Sequence, residues 1–326
     1  MIHPIPPGTR DVLPDEMREL RAITTALGGA FEGAGYGEVF TPALEYEEVL
    51  RTGDATAAGA GYRMFDEQGQ VLALRSDMTI PIARLVATRF RGVDGPLRLS
   101  YSGHAYRAVA HGSGQQREFL QNGIELIGPE GAEAEAEVIA LTLAALDEAG
   151  LARHRVGLGD GALYRTLLEG LDVPEERRGP LLDCLSQRDL VTLGRHVDEL
   201  GLQPGARDLL MRVPELRGGV NVLEVADGPL GGLAREALDG LRALMQALSE
   251  RGVADRVILD LGLVLELSYY TGAVYEVYDP AVGFALGGGG RYDDLIGRFG
   301  DPRPACGVAL DVQRVHIAQA AEERMR

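Results

Sequence analysis

The chain has 326 residues and a formal net charge of −17. Its length and its 45% hydrophobic content allow one large domain with a sizeable core, or a main domain that carries an insertion. Affinity for nucleic acids rests largely on Lys and Arg side chains that neutralise phosphates. So acidic a chain is therefore not expected to bind long RNA or DNA tightly.

The cysteines and the apolar runs indicate the compartment. Cys184 and Cys306 lie far apart and form no CxxC pair, which favours a reducing compartment over a disulfide scaffold. The N-terminus lacks the apolar core of a signal peptide, and no run approaches the roughly 18 apolar residues of a membrane span. We therefore expect a cytoplasmic protein with no membrane partner. The six histidines show no metal-binding spacing, so neither a metal nor a cofactor is expected.

Apolar periodicity predicts the elements of the first half of the chain. Apolar residues recur at helical spacing in the helices and at every second position in the strands. In chain order the predicted elements are a helix (14–35), a strand (38–45), a helix (75–90), two strands (96–107 and 117–128), a helix (131–149) and a strand (154–160). Ser76 or Asp77 is expected to cap the second helix.

The second half begins with a leucine-rich helical block at 161–252, interrupted by Pro and Gly clusters. We interpret it as a helical subdomain inserted into one domain that spans 1–326. The remaining predicted elements are strands at 255–263, 272–278 and 283–286 with a hairpin turn at Asp279-Pro280, a helix that starts within 292–299, and a closing strand and helix within 306–323. Antiparallel patterns outnumber alternating strand–helix units, which indicates an α+β fold.

The glycine-rich segments do not match nucleotide-binding motifs. No GK[ST] follows the four glycines at 287–290, and GLGDG at 157–161 lacks the third glycine of a dinucleotide fingerprint. The four glycines suit close backbone approach by a ligand or a helix, or else a flexible connection. No GxSxG motif occurs, so no catalytic nucleophile is predicted.

Several polar residues lie where a core face should be apolar. Gln121 and Glu125 are four residues apart on one predicted strand and so share a face of the sheet. Arg107 ends the preceding strand, and Asp77 and Thr79 begin a helix. Such a face is costly when dry and unpaired. It is consistent with a pocket for an amino acid, in which carboxylates meet the ammonium group. An internal Arg–Glu network without a ligand remains the alternative.

Taken together, six segments resemble histidyl-tRNA synthetase in their order and spacing. They are PPGTRDVLP at the start, LRSDMT with AR at 74–84, YR and REFLQNGIELIG within 106–128, YYTGAVYEVY at 269–278, GGRYDDL at 289–295, and CGVAL with Arg at 306–314. The resemblance covers nearly the whole chain. It implies a class II aminoacyl-tRNA synthetase fold, an antiparallel sheet flanked by helices, and a homodimer.

Departures from the synthetase pattern argue against catalysis. The arginine before the two tyrosines falls on Leu265 of Leu265-Glu266-Leu267-Ser268, and loss of one such donor typically costs about a hundred- to a thousandfold in rate. The loop motifs become Arg107-Ala108-Val109 and Gly114-Gln115, and Asp311 replaces the glycine of the last motif. The sequence also stops soon after Arg314, where the synthetase continues into an anticodon-binding domain.

With these departures the chain resembles the regulatory subunit of ATP phosphoribosyltransferase. That resemblance implies a non-catalytic partner of the short-form catalytic subunit in the first step of histidine biosynthesis. It implies homodimers within a hetero-oligomer, commonly a hetero-octamer, with histidine as effector and no tRNA. The implied contacts are Asp77 and Thr79 with the ammonium group, Arg107 with the carboxylate, Gln121 and Glu125 as the pocket floor, and Tyr269 and Tyr270 with the imidazole.

Two questions stay open from the sequence. Because Leu265 replaces arginine, histidine could bind in this pocket or where the two kinds of subunit meet. A free-standing amino-acid adenylating or ligating enzyme that has lost only its tRNA module is the main alternative function. A tRNA-binding fragment is a further alternative.

Overall fold

The computed structural model describes residues 5–54, 61–109, 116–230, 232–265 and 267–325. Two of the departures from the synthetase pattern, the loop pair Gly114-Gln115 and the residue Glu266, lie outside these ranges. Within the ranges no helix combines the length and apolar character needed to cross a bilayer. Nor do the described residues contain three or more His, Cys, Asp or Glu side chains placed together to hold a metal ion.

Of the described α-helices, all but α2 overlap predicted helical segments. They are α1 (Pro14–Gly33), α2 (Glu47–Gly53), α3 (Thr79–Arg89), α4 (Ala132–Glu148), α5 (Leu163–Gly170), α6 (Glu175–Ser186), α7 (Leu190–Glu199), α8 (Pro204–Arg212), α9 (Asn221–Leu230), α10 (Arg235–Glu250) and α11 (Val312–Arg324). The predicted helices at 14–35, 75–90 and 131–149 are confirmed as α1, α3 and α4. Within 161–252 the helices α5 to α10 are observed, whereas a separate subdomain there stays a prediction.

The strands include some that the apolar pattern does not reveal. They are β1 (Gly37–Glu38), β2 (Leu44–Tyr46), β3 (Arg63–Phe65), β4 (Val71–Leu74), β5 (Leu97–Tyr106), β6 (Glu118–Ile127), β7 (Arg155–Asp160), β8 (Arg217–Gly218), β9 (Val257–Asp260), β10 (Ala273–Tyr278), β11 (Ala285–Arg291) and β12 (Ala305–Asp311). The strands predicted around 96–128 are confirmed as the antiparallel pair β5–β6.

In the described part of the chain, one nine-stranded sheet has the order β1-β5-β6-β12-β11-β10-β7-β9-β8, and β2-β4-β3 form a smaller sheet. The central pairs are antiparallel, as predicted, but β1 pairs with β5 and β7 with β9 in parallel. The large sheet is therefore mixed. Alternate strand residues enter two apolar clusters, one with α1, α4 and α10 and the other with α3 and the segment around Tyr269.

The prediction of one continuous strand at 38–45 is wrong, because the segment forms two strands, β1 and β2, that belong to different sheets. Pro42 lies between them and has no N–H to donate to a neighbouring strand. The buried Arg75 guanidinium instead donates to the carbonyl oxygens of Thr41 at 2.6 Å and Pro42 at 3.3 Å. A long-range side chain thus satisfies the backbone where the strand breaks.

The glycine run 287–290 is neither a ligand loop nor a flexible connection, because it forms most of strand β11. A Cβ on Gly289 would lie 2.0 Å from the carbonyl oxygen of Gly307 in β12. A Cβ on Gly290 would lie 2.5 Å from the carbonyl oxygen of Ala273 in β10 and 2.9 Å from the Tyr270 ring. Neighbouring strands and one aromatic ring therefore require these glycines.

The helix predicted within 292–299 is reduced to one 3₁₀ turn at Ile296–Arg298. Asp293 is engaged in long-range contacts instead of helical ones. Its backbone N–H donates to the Thr271 hydroxyl at 3.0 Å, and its carboxylate accepts from the Ala305 N–H at 3.0 Å. These bonds hold the chain after β11 against β12, so helix formation starts late.

Candidate functional site

The start of helix α3 places Asp77 and Thr79 against the sheet. The Asp77 carboxylate accepts the Ile80 N–H at 2.9 Å, so Asp77 satisfies an N-terminal donor of the helix, as predicted. The Ser76 hydroxyl donates to the other Asp77 oxygen at 3.3 Å. Asp77 is only 4% exposed. Thr79, two residues on, directs its hydroxyl toward strand β6 instead of solvent.

Glu125 of β6 lies at the centre of the site and is 1% exposed. Thr79 Oγ1 donates to Glu125 Oε1 at 2.8 Å, and the Tyr292 hydroxyl donates to Oε2. Gly307 faces Glu125 across the β6–β12 pair, and a Cβ there would lie 1.6 Å from Oε2. The absence of a side chain at Gly307 is therefore what makes room for the carboxylate.

Burial raises the pKa of Glu125 from 4.5 to about 8. The two hydroxyl donors lower that pKa and the nearby Asp77 carboxylate raises it, but burial outweighs both. Burial likewise raises the pKa of Asp77, against the lowering effect of the Ile80 N–H and the Arg107 guanidinium. Neither carboxylate forms an ion pair with any residue that the structure describes. Both would therefore be stabilised by a cationic ligand group.

Aromatic rings enclose the same space. The ring centroids of Tyr269 and Tyr270 are 4.8 Å apart, and Tyr292 meets Tyr269 edge to face at 5.8 Å. Burial raises the pKa of Tyr292 and of Tyr101 well above 10. These hydroxyls therefore stay protonated and act as hydrogen-bond donors near the carboxylates.

Arg107 and Gln121 complete the predicted set. The Arg107 guanidinium lies 5.0 Å over the Phe119 ring, and its Nε–H donates weakly to the Ser76 carbonyl oxygen at 3.4 Å. Gln121 is 7% exposed, and no described donor reaches its buried Oε1. A buried acceptor without a donor is unusual in a native protein. The internal Arg–Glu network finds no support, because Arg107 forms no ion pair with Glu125 among the described contacts.

The structure thus brings all seven predicted residues to one region, although their contact with a ligand stays a prediction. Sequence reasoning missed the Glu125 partners Tyr292 and Gly307. Both lie in the segments that carry the resemblance, GGRYDDL and CGVAL. Only the three-dimensional register shows that they meet Glu125.

The departures from the synthetase pattern are built into the packing. Leu265 is half-buried and packs on the apolar cluster that includes Tyr269. Ser268 donates its N–H and its hydroxyl to the Asp54 carboxylate at 3.2 and 3.0 Å. Asp311 accepts the N–H of Arg314 at 3.1 Å, and the Arg314 guanidinium donates to the Ala285 carbonyl oxygen at 2.8 Å. The retained arginine is therefore engaged with backbone.

Comparison with known proteins decides the family. The family model for histidyl-tRNA synthetase matches residues 8–315. A Moorella thermoacetica protein named ATP phosphoribosyltransferase regulatory subunit is 41% identical over 97% of this chain and 82% of its own length. This chain belongs to the family of ATP phosphoribosyltransferase regulatory subunits, within the histidyl-tRNA synthetase-like proteins.

Solved structures in this family support the class II synthetase fold. A protein from Bacillus halodurans, named ATP phosphoribosyltransferase regulatory subunit/histidyl-tRNA synthetase, has a TM-score of 0.90 at 36% identity over 98% of this chain and 84% of its own. A histidine–tRNA ligase subunit from Alicyclobacillus acidocaldarius has a TM-score of 0.87 at 31% identity over 100% of this chain and 98% of its own. Members with either name therefore share this fold.

Proposed function

We propose that this chain is the non-catalytic regulatory subunit that activates a short-form ATP phosphoribosyltransferase catalytic subunit and makes it sensitive to histidine. The observation that carries the proposal is the pair of buried carboxylates, Asp77 and Glu125, neither of which forms an ion pair with a described residue. At the position where a synthetase has the arginine for adenylate formation, Leu265 contributes apolar packing instead. Such a site favours binding of a cationic ligand group over reaction with ATP.

Histidine fits the charge arrangement when its two ends are considered separately. Asp77 and Arg107 have opposite charges and lie near each other, which suits the ammonium and carboxylate groups of any amino acid. Glu125 lies deeper, against Tyr269 and Tyr292, and is left to face the side chain of the ligand. A side chain that donates a hydrogen bond to a buried carboxylate is required there, and the imidazole N–H supplies one.

The test is to mix the chain with a short-form catalytic subunit and measure turnover with and without histidine. We expect the mixture to turn over faster than the catalytic subunit alone and to be inhibited by histidine. Glu125→Gln should weaken histidine inhibition while assembly is retained, whereas Glu148→Gln, at an exposed site on α4, should change neither. Equal activity and equal inhibition of the catalytic subunit alone would overturn the proposal.

The proposal includes self-association within the hetero-oligomer. In the small sheet, Leu44 of β2 pairs with Leu74 of β4. Leu72 of β4 lies between Tyr46 of β2 and Met64 of β3. These five apolar side chains share one face, and Leu44 and Tyr46 are 42% and 53% exposed. Leu44→Asp should shift the mass measured by light scattering from a dimer to a monomer; an unchanged mass would move the interface elsewhere.

The alternative function is a free-standing amino-acid adenylating enzyme. It is tested as well because the Alicyclobacillus relative is named a histidine–tRNA ligase subunit. ATP–pyrophosphate exchange with histidine separates the two functions, because an adenylating enzyme catalyses it and a regulatory subunit does not.

We also propose a cytoplasmic location, since Cys184 and Cys306 are both free and buried.

A further inference from the structure

Arg291 is a buried cation at the end of strand β11, on the face of the sheet that packs against α4. Because side chains alternate along a strand, its neighbours Gly290 and Tyr292 point to the opposite face. On that face the Tyr292 hydroxyl donates to Glu125. Arg291 therefore adjoins a residue of the candidate site in sequence, while its own side chain points away from the site.

Every nitrogen of the Arg291 guanidinium has a described acceptor. Nε donates to Oε1 of Glu135 at 2.9 Å, Nη1 to the carboxylate of Asp293 at 2.9 Å, and Nη2 to the carbonyl oxygen of Gly131 at 3.1 Å. Glu135 is buried as well, so its ion pair with Arg291 is shielded from water. Breaking a buried ion pair leaves an uncompensated charge, so these groups strongly favour staying together.

Asp293 extends these contacts to the neighbouring strand β12. The Asp293 oxygen that accepts from Arg291 Nη1 also accepts the Ala305 N–H at 3.0 Å. The residue between the two charges, Tyr292, donates its backbone N–H to the Ala305 carbonyl oxygen at 2.8 Å. Tyr292 is thus anchored through its own backbone and through the side chains on both sides of it, which restricts where its ring can point.

The segment that carries Tyr270 is attached to the same place. Thr271, which follows Tyr270, donates its N–H to the Arg291 carbonyl oxygen at 2.8 Å. The Thr271 hydroxyl in turn accepts the Asp293 N–H at 3.0 Å. The segments that contribute Tyr270 and Tyr292 to the site therefore meet at the Arg291–Asp293 pair.

We propose that Arg291 is a positioning residue, which together with Glu135 and Asp293 holds the Tyr292 hydroxyl on Glu125 and so strengthens histidine binding. Glu135, Arg291 and Asp293 are called the arginine bracket below. The part that concerns histidine rests on the proposed function, whereas the effect on Glu125 does not. The competing explanation is a bracket that stabilises the fold without influencing Glu125.

The charges around the bracket agree with a closed arrangement near neutral pH. Burial alone would lower the pKa of Arg291, but Glu135 and Asp293 outweigh burial and raise it, so the guanidinium stays charged. Burial raises the pKa of Glu135, an effect that Arg291 opposes and Asp160 reinforces. Among the described groups, Cys306 pairs with Arg291 across β11 and β12; burial raises the pKa of its thiol, which therefore stays neutral.

The test follows the titration of the Glu125 carboxyl in the ligand-free chain, by infrared or NMR difference spectra against Glu125→Gln. The bond from Tyr292 lowers the pKa of Glu125, so Tyr292→Phe should raise it above about 8. Glu135→Gln and Asp293→Asn should shift it in the same direction, and neither should shift it further in the Tyr292→Phe background. The control Glu133→Gln, at an exposed ion pair of the same helix, should leave it unchanged.

Histidine affinity gives the functional readout. In calorimetry near pH 7.2, Glu135→Gln and Asp293→Asn should each raise the Kd for histidine by about five- to tenfold, the loss expected for one hydrogen bond, whereas Glu133→Gln should not. Arg291 itself stays unchanged in these variants, because its removal would leave a buried carboxylate unpaired. A lower melting temperature is expected for either role, so the Glu125 titration is the deciding measurement.

Two results would overturn the inference. The first is a Glu125 titration that both bracket variants leave at its wild-type position. The second is a shift that adds to that of Tyr292→Phe, because the bracket would then act on Glu125 by another route. A wild-type chain that does not bind histidine would instead contradict the proposed function, and the ligand-free titration would still decide the role of Arg291.

Discussion

Under the proposed function, the number of protons exchanged on histidine binding depends on Glu125. A rise of its pKa from 4.5 to about 8 corresponds to roughly 5 kcal/mol of unfavourable ionisation, at about 1.36 kcal/mol per pKa unit. In the ligand-free chain at pH 7, Glu125 is therefore neutral. When histidine binds, one proton serves both the Glu125 carboxylate and the imidazole.

The proton count follows from the two pKa values. Between about 6.5, the ordinary imidazole pKa, and about 8, the Glu125 pKa, the free partners together carry the one proton that the complex needs. Titration of the Glu125 carboxyl and the imidazole therefore leaves the affinity for histidine independent of pH in this range. Above this range Glu125 ionises in the free chain, so binding must take up a proton and Kd should rise about tenfold per pH unit. Below it, binding must release one.

Calorimetry in buffers of different ionisation enthalpy measures this count directly. We expect release near pH 5.5, no net exchange near pH 7.2 and uptake of about one proton near pH 9. Glu125→Gln should abolish the uptake at pH 9. Asp77→Asn serves as the companion variant: it leaves Glu125 intact, so the proton uptake near pH 9 should persist while histidine binds more weakly. Uptake of a full proton by the wild type at pH 7.2 would mean that Glu125 is ionised in the free chain, and the reasoning would be refuted.

Three further substitutions test the packing around the site. Gly307→Ala should destabilise the fold by about 1–3 kcal/mol in urea unfolding and abolish histidine binding, because its Cβ would lie 1.6 Å from Glu125 Oε2. The control is Gly29→Ala in α1, where the space is open, and this change should stabilise the fold by about 0.5–1 kcal/mol. Tyr292→Phe removes one donor to Glu125, so the alkaline loss of histidine affinity should begin at a higher pH in titration calorimetry. Leu265→Arg should lower the melting temperature without producing ATP–pyrophosphate exchange; measurable exchange would mean that this one arginine is all that separates the site from catalysis.

Local sequence patterns predicted most elements because their apolar faces are set by short-range spacing. Leu20, Leu27 and Phe31 are buried along α1 at the spacing that predicted the helix. The failures have long-range causes. Arg75 takes the carbonyl oxygens that interrupt the strand at Pro42, and Ala305 binds Asp293 where a helix was expected. Neither contact has a signature within its own segment.

The positions of the candidate residues in the fold were predictable, but their chemistry was not. The even spacing of Gln121 and Glu125 placed them on one face, and both are buried. The register across β6 and β12, which puts Gly307 opposite Glu125, depends on pairing residues far apart in the chain. The pKa of Glu125 depends on that pairing too, because burial and its two hydroxyl donors come from separate elements.

The same geometry explains why losing a cation need not destroy a binding site. Where an arginine faces buried carboxylates, the protein itself neutralises them, and the pocket is suited to anions such as nucleotide phosphates. With Leu265 at that position, neither Asp77 nor Glu125 forms an ion pair with a described residue, and the Arg107 guanidinium, which lowers the Asp77 pKa, lies over the Phe119 ring. Ionisation of either acid would repel a phosphate, whereas a ligand that carries its own positive charge or a proton to share is favoured. Under the proposed function, the positive charge that an arginine supplies in the synthetase must come from the ligand, so the site would bind the amino acid reversibly instead of activating it.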